Sequence, residues 1–357
     1  MAKILVAGAG GAPSEGVINS LLRGRRNETV IGMGPVETDL VLSRASAKFR
    51  VPYPDSADYQ PRLLQLLQSQ KPDLVHFQND LEIFHASLFR EEILATGTTL
   101  FMPPHDVIDT CVHKYKSYLA FSKAGVPVPR NVFIRTEADL AESFASLRQA
   151  GGKIWLRAAS IGGGGKGAIA TGDPAMARAW IDHYDGWGDF VAAEVLTPKT
   201  LAWLSIWHDG ELIVAQGRER RGWVHGNRTV SGVTGVTKVG VTCADDRADE
   251  IAIAAIKAVS SRPHGIFGVD MAYDRAGVPN VTEINISRFF TTVLFFTEAG
   301  LNMPEIFKDI ALYGEFPRLE RKVNPLPSGL MWLRGMDMVP RLTNAEEIAA
   351  GIADVED

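Results

Sequence analysis

The sequence predicts an α/β segment built as a small doubly wound sheet, followed by α+β structure richer in strands. Three observations predict this. Residues 1–110 alternate short apolar runs with amphipathic stretches at helical spacing. Residues 111–195 set helices and extended runs around a glycine-rich loop at 160–167. Residues 196–320 are dominated by strand patterns and end in a carboxylate-bearing hairpin, with a tail at 321–357.

In chain order, Lys3–Ala7 reads as a buried strand and residues 8–11 as a tight turn. Val17, Ile18, Leu21 and Leu22 mark a helix face. Residues 29–32 are a second strand and 61–70 a helix with Leu63, Leu64, Leu66 and Leu67 toward a core. Residues 74–77 are a third strand, and 82–96 a helix that Gly97 stops. This alternation makes a doubly wound sheet. A helix over 112–124 ends at Gly125, where Pro127 and Pro129 force extended chain, because proline clashes with a helical residue before it. Residues 137–150 and Pro174–His183 are helices, the latter opened by its proline. Residues 201–207 and 211–216 flank Asp209 and Gly210, a hairpin turn. An amphipathic helix at 249–260, a hairpin of 268–273 with 281–285, and a helix at 303–312 follow. The tail holds a hairpin around Gly335 and a short final helix, and yields no chemistry.

Composition excludes several classes. Hydrophobic residues make up 46% of 357, enough for two or three proper cores, and the net charge of −5 offers no global basic surface to nucleic acid. The two cysteines, Cys111 and Cys243, form no disulfide framework, which makes a reducing cytoplasm the default location. The apolar run at 4–7 is far too short for a signal-peptide core or a membrane span.

The glycine loop carries the first chemical signal. Phosphate binding needs several main-chain amides at close range, and glycine permits that approach. Gly162, Gly163, Gly164, Gly165 and Gly167 supply it, Ser160 opens the loop, Lys166 adds charge at its tip, and Arg157 lies on the entering strand. A Walker A loop would open a helix after Gly-Lys-Ser/Thr; here Gly167 and a strand follow Lys166. The bland alternative is a flexible hairpin tip, for which so many glycines are unnecessary.

The hairpin carries the second. Strand alternation puts Val281, Glu283 and Asn285 on one face, and pairing Asp274 with Pro279 sets Asp270 opposite Glu283. Opposed like charges destabilise a sheet unless something lies between them. A hard divalent ion with Asn285 as third oxygen ligand answers that; Mg²⁺ is the natural choice and Mn²⁺ the alternative. The bland reading is a solvated hairpin face, disfavoured by the apolar stretch that follows. Phosphate loop and metal hairpin together point to Mg-ATP chemistry.

These residues resemble the ATP-grasp superfamily, nearest its carbamoyl-phosphate-synthase-like branch of carboxylate–amine ligases, over residues 3 to about 315. The resemblance implies a Rossmann-like pre-ATP-grasp domain at 1–110, a small ATP-grasp subdomain at 111–195, a large one at 196–320 and a C-terminal extension at 321–357. It implies Lys114 as a phosphate ligand, Arg157 in place of the family's strand lysine, and Glu194, Val195 and Leu196 as the hinge that meets adenine. Asp270, Glu283 and Asn285 resemble the metal ligands. Thr200, Leu201 and Ala202 stand where the family often has an acid for ribose, His113 where an acid precedes the lysine, and Arg288 one place later than the family's arginine. Implied partners are small carboxylate and amine substrates, with ATP and Mg²⁺; homodimers are common in such families.

Weaker signals remain. Gly8 to Pro13 begins like a dinucleotide fingerprint but lacks its third glycine and the acid after the next strand, so a nicotinamide oxidoreductase is the distant alternative. Arg218 and Arg220 share a strand face and suit an acyl phosphate or substrate carboxylate, against a solvated strand end as the alternative. Residues 223–228 and 231–240 read as a mobile loop, and His225 as a surface histidine. The other histidines show no ligand spacing, and Cys111 reads as packing. Carbamoyl-phosphate formation and nucleotide binding without catalysis are the nearer alternatives.

Overall fold

The computed structural model describes residues 1–148, 152–160, 167–335 and 341–350. Its first sheet is wholly parallel, with β1 (Lys3–Ala7), β2 (Thr29–Gly34), β3 (Lys48–Arg50) and β4 (Leu74–His76) in the order β3-β2-β1-β4. Ile4, Leu5, Val6 and Ala7 are all buried, as a central strand covered on both faces requires. Two expected helices differ in detail. The stretch 82–96 is two helices, Asp80–Leu88 and Arg90–Ala95, broken at the buried Phe89. The helix expected from 112 begins at Lys114 instead and follows a separate helix, His105–Val112. His113 lies extended between them, and its ring accepts the Lys116 amide as an N-cap.

The second sheet is antiparallel: β5 (Asn131–Ile134), β6 (Ile154–Ala158), β7 (Ile169–Thr171) and β8 (Phe190–Glu194), in the order β5-β8-β6-β7. Helices Glu137–Leu147 and Pro174–His183 pack on it around Leu140, Phe144, Leu156, Ile181 and Phe190. The first of them starts in a capping box made by Thr136 and Asp139. β6 and β7 flank the glycine loop.

The third sheet has seven strands, β9 (Thr200–His208), β10 (Glu211–Trp223), β11 (Thr237–Cys243), β12 (Gly265–Tyr273), β13 (Pro279–Ile286), β14 (Met331–Leu333) and β15 (Arg341–Thr343), in the order β13-β12-β9-β10-β11-β14-β15. Asp209 and Gly210 take φ of 50° and 92°, the left-handed pair that a tight β9–β10 hairpin needs. The expected loop 231–240 is corrected in part, since β11 begins at Thr237 and pairs with the extended end of β10. The tail hairpin expected around Gly335 is β14 and β15, which continues the sheet beside β11.

Two apolar cores join the first and third sheets. Leu5, Met33 and Val75 pack in one with Trp203, Phe267 and Val269. Ile4 and Val6 pack in the other with Leu204, Ile206 and Trp332. The second sheet keeps a core of its own.

Candidate active site

One row of residues crosses the third sheet in register: Glu283 on β13, Asp270 on β12, Ala202 on β9, Arg218 on β10 and Thr242 on β11. The expected pairing of Asp270 with Glu283 is present, but by a different route. Tyr273, not Asp274, pairs with Pro279, and a bulge at Thr282 shifts the register by one before Glu283. The bulge corrects one expectation. Val281 pairs with Met271 and packs into the core, so it does not share the face of Glu283 and Asn285. It also frees the Thr282 carbonyl, which accepts a hydrogen bond from Arg157 Nη2 at 2.8 Å.

Two glycines clear this face. A Cβ on Gly268 would meet the Phe290 ring at 2.6 Å, and one on Gly240 would meet Arg218 Cδ at 2.9 Å. Phe290 and Arg218 therefore lie flat across the sheet, the guanidinium 5.3 Å from the ring centroid. Arg220, two residues along β10, turns toward Asp270 at 3.4 Å and stacks over Trp223 at 3.9 Å. Thr237 Oγ1 accepts hydrogen bonds from both arginines, at 2.8 Å from Arg218 and 3.3 Å from Arg220.

Cations gather around the acids. Arg157 lies 3.4 Å and Lys114 3.9 Å from a Glu283 carboxylate oxygen. Burial alone would raise the Glu283 pKa; Lys114, Arg157, Arg288 and Arg220 outweigh it and hold the carboxyl below its ordinary range. Burial lowers the Lys114 and Arg157 pKa values, with Glu283 opposing the shift in both. Asn285 donates to Asp270 at 3.2 Å and accepts from Arg288. Arg288 forks onto Asp80 at 2.6 and 3.1 Å, and Asp80 prevails over burial in raising its pKa. Asp80, Asp270, Glu283, Asn285 and Arg288 border a cleft of about 550 Å³ whose wall also includes Pro13, Asn79, Arg218, Arg220 and Trp223.

The donor set suits a hard divalent ion: two carboxylates on adjacent strands and the Asn285 amide, whose oxygen here accepts from Arg288, with no sulfur or imidazole among them. Asp270, Glu283 and Asn285 would hold it. The fold also brings together His208, Asp209 and His264, a cluster the sequence spacing did not reveal. Asp209 there already pairs with Arg262 at 3.2 Å.

Gly162, Gly163, Gly164, Gly165 and Lys166 lie outside the described residues. At the near edge of their loop, the Ser160 amide and hydroxyl both donate to the Asp189 carboxylate, at 3.0 and 2.7 Å. At the far edge Gly167 takes φ +69°, and its carbonyl accepts from the Trp180 indole at 3.0 Å. The Lys114 amide donates to the Ala159 carbonyl at 2.8 Å, which fixes the lysine beside the loop entrance. Glu194 ends β8 and pairs with Arg130 at 3.3 Å, with Val195 and Leu196 half-buried after it. In the glycine turn after β1 the Gly10 amide donates to Glu15 at 3.0 Å. A carboxylate on that amide repels a pyrophosphate, which argues against the oxidoreductase alternative.

Sequence reasoning missed Asp80, Trp223, Thr237 and Phe290. A signal existed for Asp80, because ligands gather beyond the carboxyl ends of parallel strands and Asp80 begins the helix after β4. For Thr237 and Phe290 the contacts arise only from the fold.

No protein-family model matches the chain, and no curated protein sequence does. Solved structures do. An N5-carboxyaminoimidazole synthetase from Staphylococcus aureus is 15% identical with a TM-score of 0.68, over 93% of this chain and 82% of that one. A biotin carboxylase from Campylobacter jejuni, in a β,γ-ATP complex, is 17% identical with a TM-score of 0.70, over 93% and 75%. An L-amino acid ligase from Bacillus licheniformis is 12% identical with a TM-score of 0.66, over 93% and 79%. The chain has the ATP-grasp fold.

Proposed function

We propose that this chain is an ATP-dependent carboxylate–amine ligase acting through an acyl phosphate. The observation that carries the reading is the Asp270–Glu283 pair, set in register and with Lys114, Arg157, Arg220 and Arg288 close enough to hold Glu283 ionised. The fold-mates add support, since they include a ligase and two carboxylating or synthetase enzymes.

In this reading the substrate carboxylate oxygen attacks the γ-phosphorus of ATP, the bond to the β-phosphate oxygen breaks, and ADP leaves. An amine nitrogen then attacks the acyl carbon, loses its proton, and displaces phosphate. Mg²⁺ on Asp270, Glu283 and Asn285 would offset charge on the phosphate oxygens. Lys114 and Arg157 steady the transferring group, and Arg220 and Arg288 steady the acyl phosphate. Ser160, the glycines of 162–165 and Lys166 would serve as phosphate ligands, and the hinge at 194–196 meets the base. No side-chain nucleophile is needed.

Calorimetric titration of ATP with and without Mg²⁺, followed by ADP release across a panel of acids and amines, tests this. Mg²⁺-dependent binding and ADP release that requires both partners is the expected result. ADP release with bicarbonate and no amine would redirect the reading to carbamoyl phosphate. Absence of ATP binding in both conditions would overturn it.

A further inference from the structure

The candidate site and its border hold more positive charge than the nearby acids pair. Lys114 and Arg157 sit against Glu283, Arg220 against Asp270, and Arg288 against Asp80. Arg218 and Arg334 have no carboxylate within ion-pair distance among the described residues. Arg218 is 1% exposed; its Nη1 donates to Thr237, and its Nε is buried without an acceptor. Arg334, carried by the tail just after β14, donates from Nη2 to the Thr291 carbonyl at 2.7 Å, and its Nη1 is likewise buried and unpaired. The Thr292 hydroxyl beside them is a third buried polar group without a partner. The two guanidinium groups thus bracket consecutive residues, one over the Phe290 ring and one on Thr291. A buried charge without a counter-ion is costly, so this pair is built for an anion that arrives with a ligand.

We propose that Arg218 and Arg334 form a seat for a second anionic group on the acid substrate, a carboxylate or a phosphate separate from the carboxylate that reacts. This rests on the ligase reading above. The separation follows from the sheet: Arg218 lies two strands from Asp270, roughly 10 Å between backbones, and it is Arg220 that turns to the metal acids. Burial and the neighbouring Arg220 depress the Arg218 pKa to about 9, and Arg334 adds to the effect, which agrees with a crowded cationic pocket still charged at neutral pH. Room continues beyond Trp223, where a second cavity of about 420 Å³ is bordered by Arg334, Lys238 and His225.

The test titrates three probes, glutarate, butyrate and inorganic phosphate, into the Mg-ADP-loaded full chain and into Arg334→Gln. Glutarate or phosphate is expected to bind the wild-type chain and to lose at least ~10-fold in affinity in the variant, with Arg334→Lys restoring most of it. Butyrate is expected to bind weakly and alike in all. Tighter glutarate assigns a dicarboxylate, and tighter phosphate a phosphorylated acid. Failure of both to bind, or equal binding to the wild type and Arg334→Gln, overturns the seat. Arg334→Met, which keeps the stem's packing, carries the comparison if Arg334→Gln does not fold. Mg-ADP titrated alone separates the two readings: its failure to bind the wild-type chain sinks the ligase proposal, whereas its binding without any anion seat sinks only this one.

Discussion

Glu283 is where the charges of the site converge. Burial opposes its ionisation, and four cations restore it. Replacing it by Gln keeps the shape and removes the charge, so Glu283→Gln is expected to fold yet lose ADP release by at least ~10²-fold. Near-wild-type release would remove the metal assignment. A second prediction concerns pH. Burial raises the Glu82 pKa to about 7, against hydrogen bonds from Tyr59 and Asn79. A raised carboxyl contributes stability that is complete below its unfolded value of 4.5 and is lost as pH rises through about 7. His76 runs the other way: burial lowers it to about 4, so its contribution is complete above its unfolded 6.5 and is lost as pH falls toward 4. Between pH 6.5 and 7.5 the folded Glu82 loses its proton while the unfolded His76 finishes losing its own, with opposite effects on stability. The Glu82 contribution is expected to fall by roughly 0.7 kcal/mol over that range, so the wild-type slope should differ from that of Glu82→Gln by about this amount. Denaturant titration at several pH values reads it; an unchanged slope in the variant would refute it. At this scale Asp270, Glu283 and Asn285 were legible from strand alternation and the pairing it suggested, and Arg157 from its place on the strand that enters the glycine loop. Asp80 and Arg334 were not, because their partners lie 208 and 43 residues away along the chain, respectively, and only packing brings them near.

The hairpin shows how an element can be read rightly for a wrong reason. Simple alternation from Asp274 and Pro279 reached the Asp270–Glu283 pair, while the real path starts one residue out of step and is corrected by the bulge at Thr282. Bulges leave little trace in a period-two pattern, so Val281 was placed on the wrong face. Long periodic elements such as Pro174–His183 and the β9–β10 turn were legible. Three-residue strands such as Lys48–Arg50, with exposed ends, carry too little pattern to be found. The glycine spacing on β12 has a consequence of its own. Alanine at Gly268 must displace the Phe290 ring, and that ring supports Arg218. Gly268→Ala is expected to cost about 1–3 kcal/mol in denaturant unfolding and to weaken acid binding while Mg-ATP binding persists. A variant with unaltered stability would show that the ring has slack there.

At the scale of the molecule, the first and third sheets share their apolar cores and the second does not. Two cores run between the first and third. The Gln78 amide adds a two-way clamp with the Phe289 backbone, at 2.7 and 3.1 Å, and Arg288 reaches Asp80 beside it. The second sheet keeps its own core, and β6 reaches the third sheet through Arg157, whose bonds end on Thr282 and Glu283 within the candidate site. Sheets whose cores are separate and which meet at a charged site imply two levels of protection in amide exchange. Strands β5, β6, β7 and β8 are expected to open as a unit at lower free energy than β1, β9 and β12, which should exchange together near the global limit. Mg-ATP, bound across Arg157 and Glu283, is expected to slow the second sheet selectively, because it bridges the sheets where they already touch. Glu283→Gln weakens that bridge from the protein side, so in the variant the second sheet should exchange faster without ligand and gain less from Mg-ATP. Equal protection of all three sheets, or a nucleotide effect confined to the first, would contradict a clamp made of two parts.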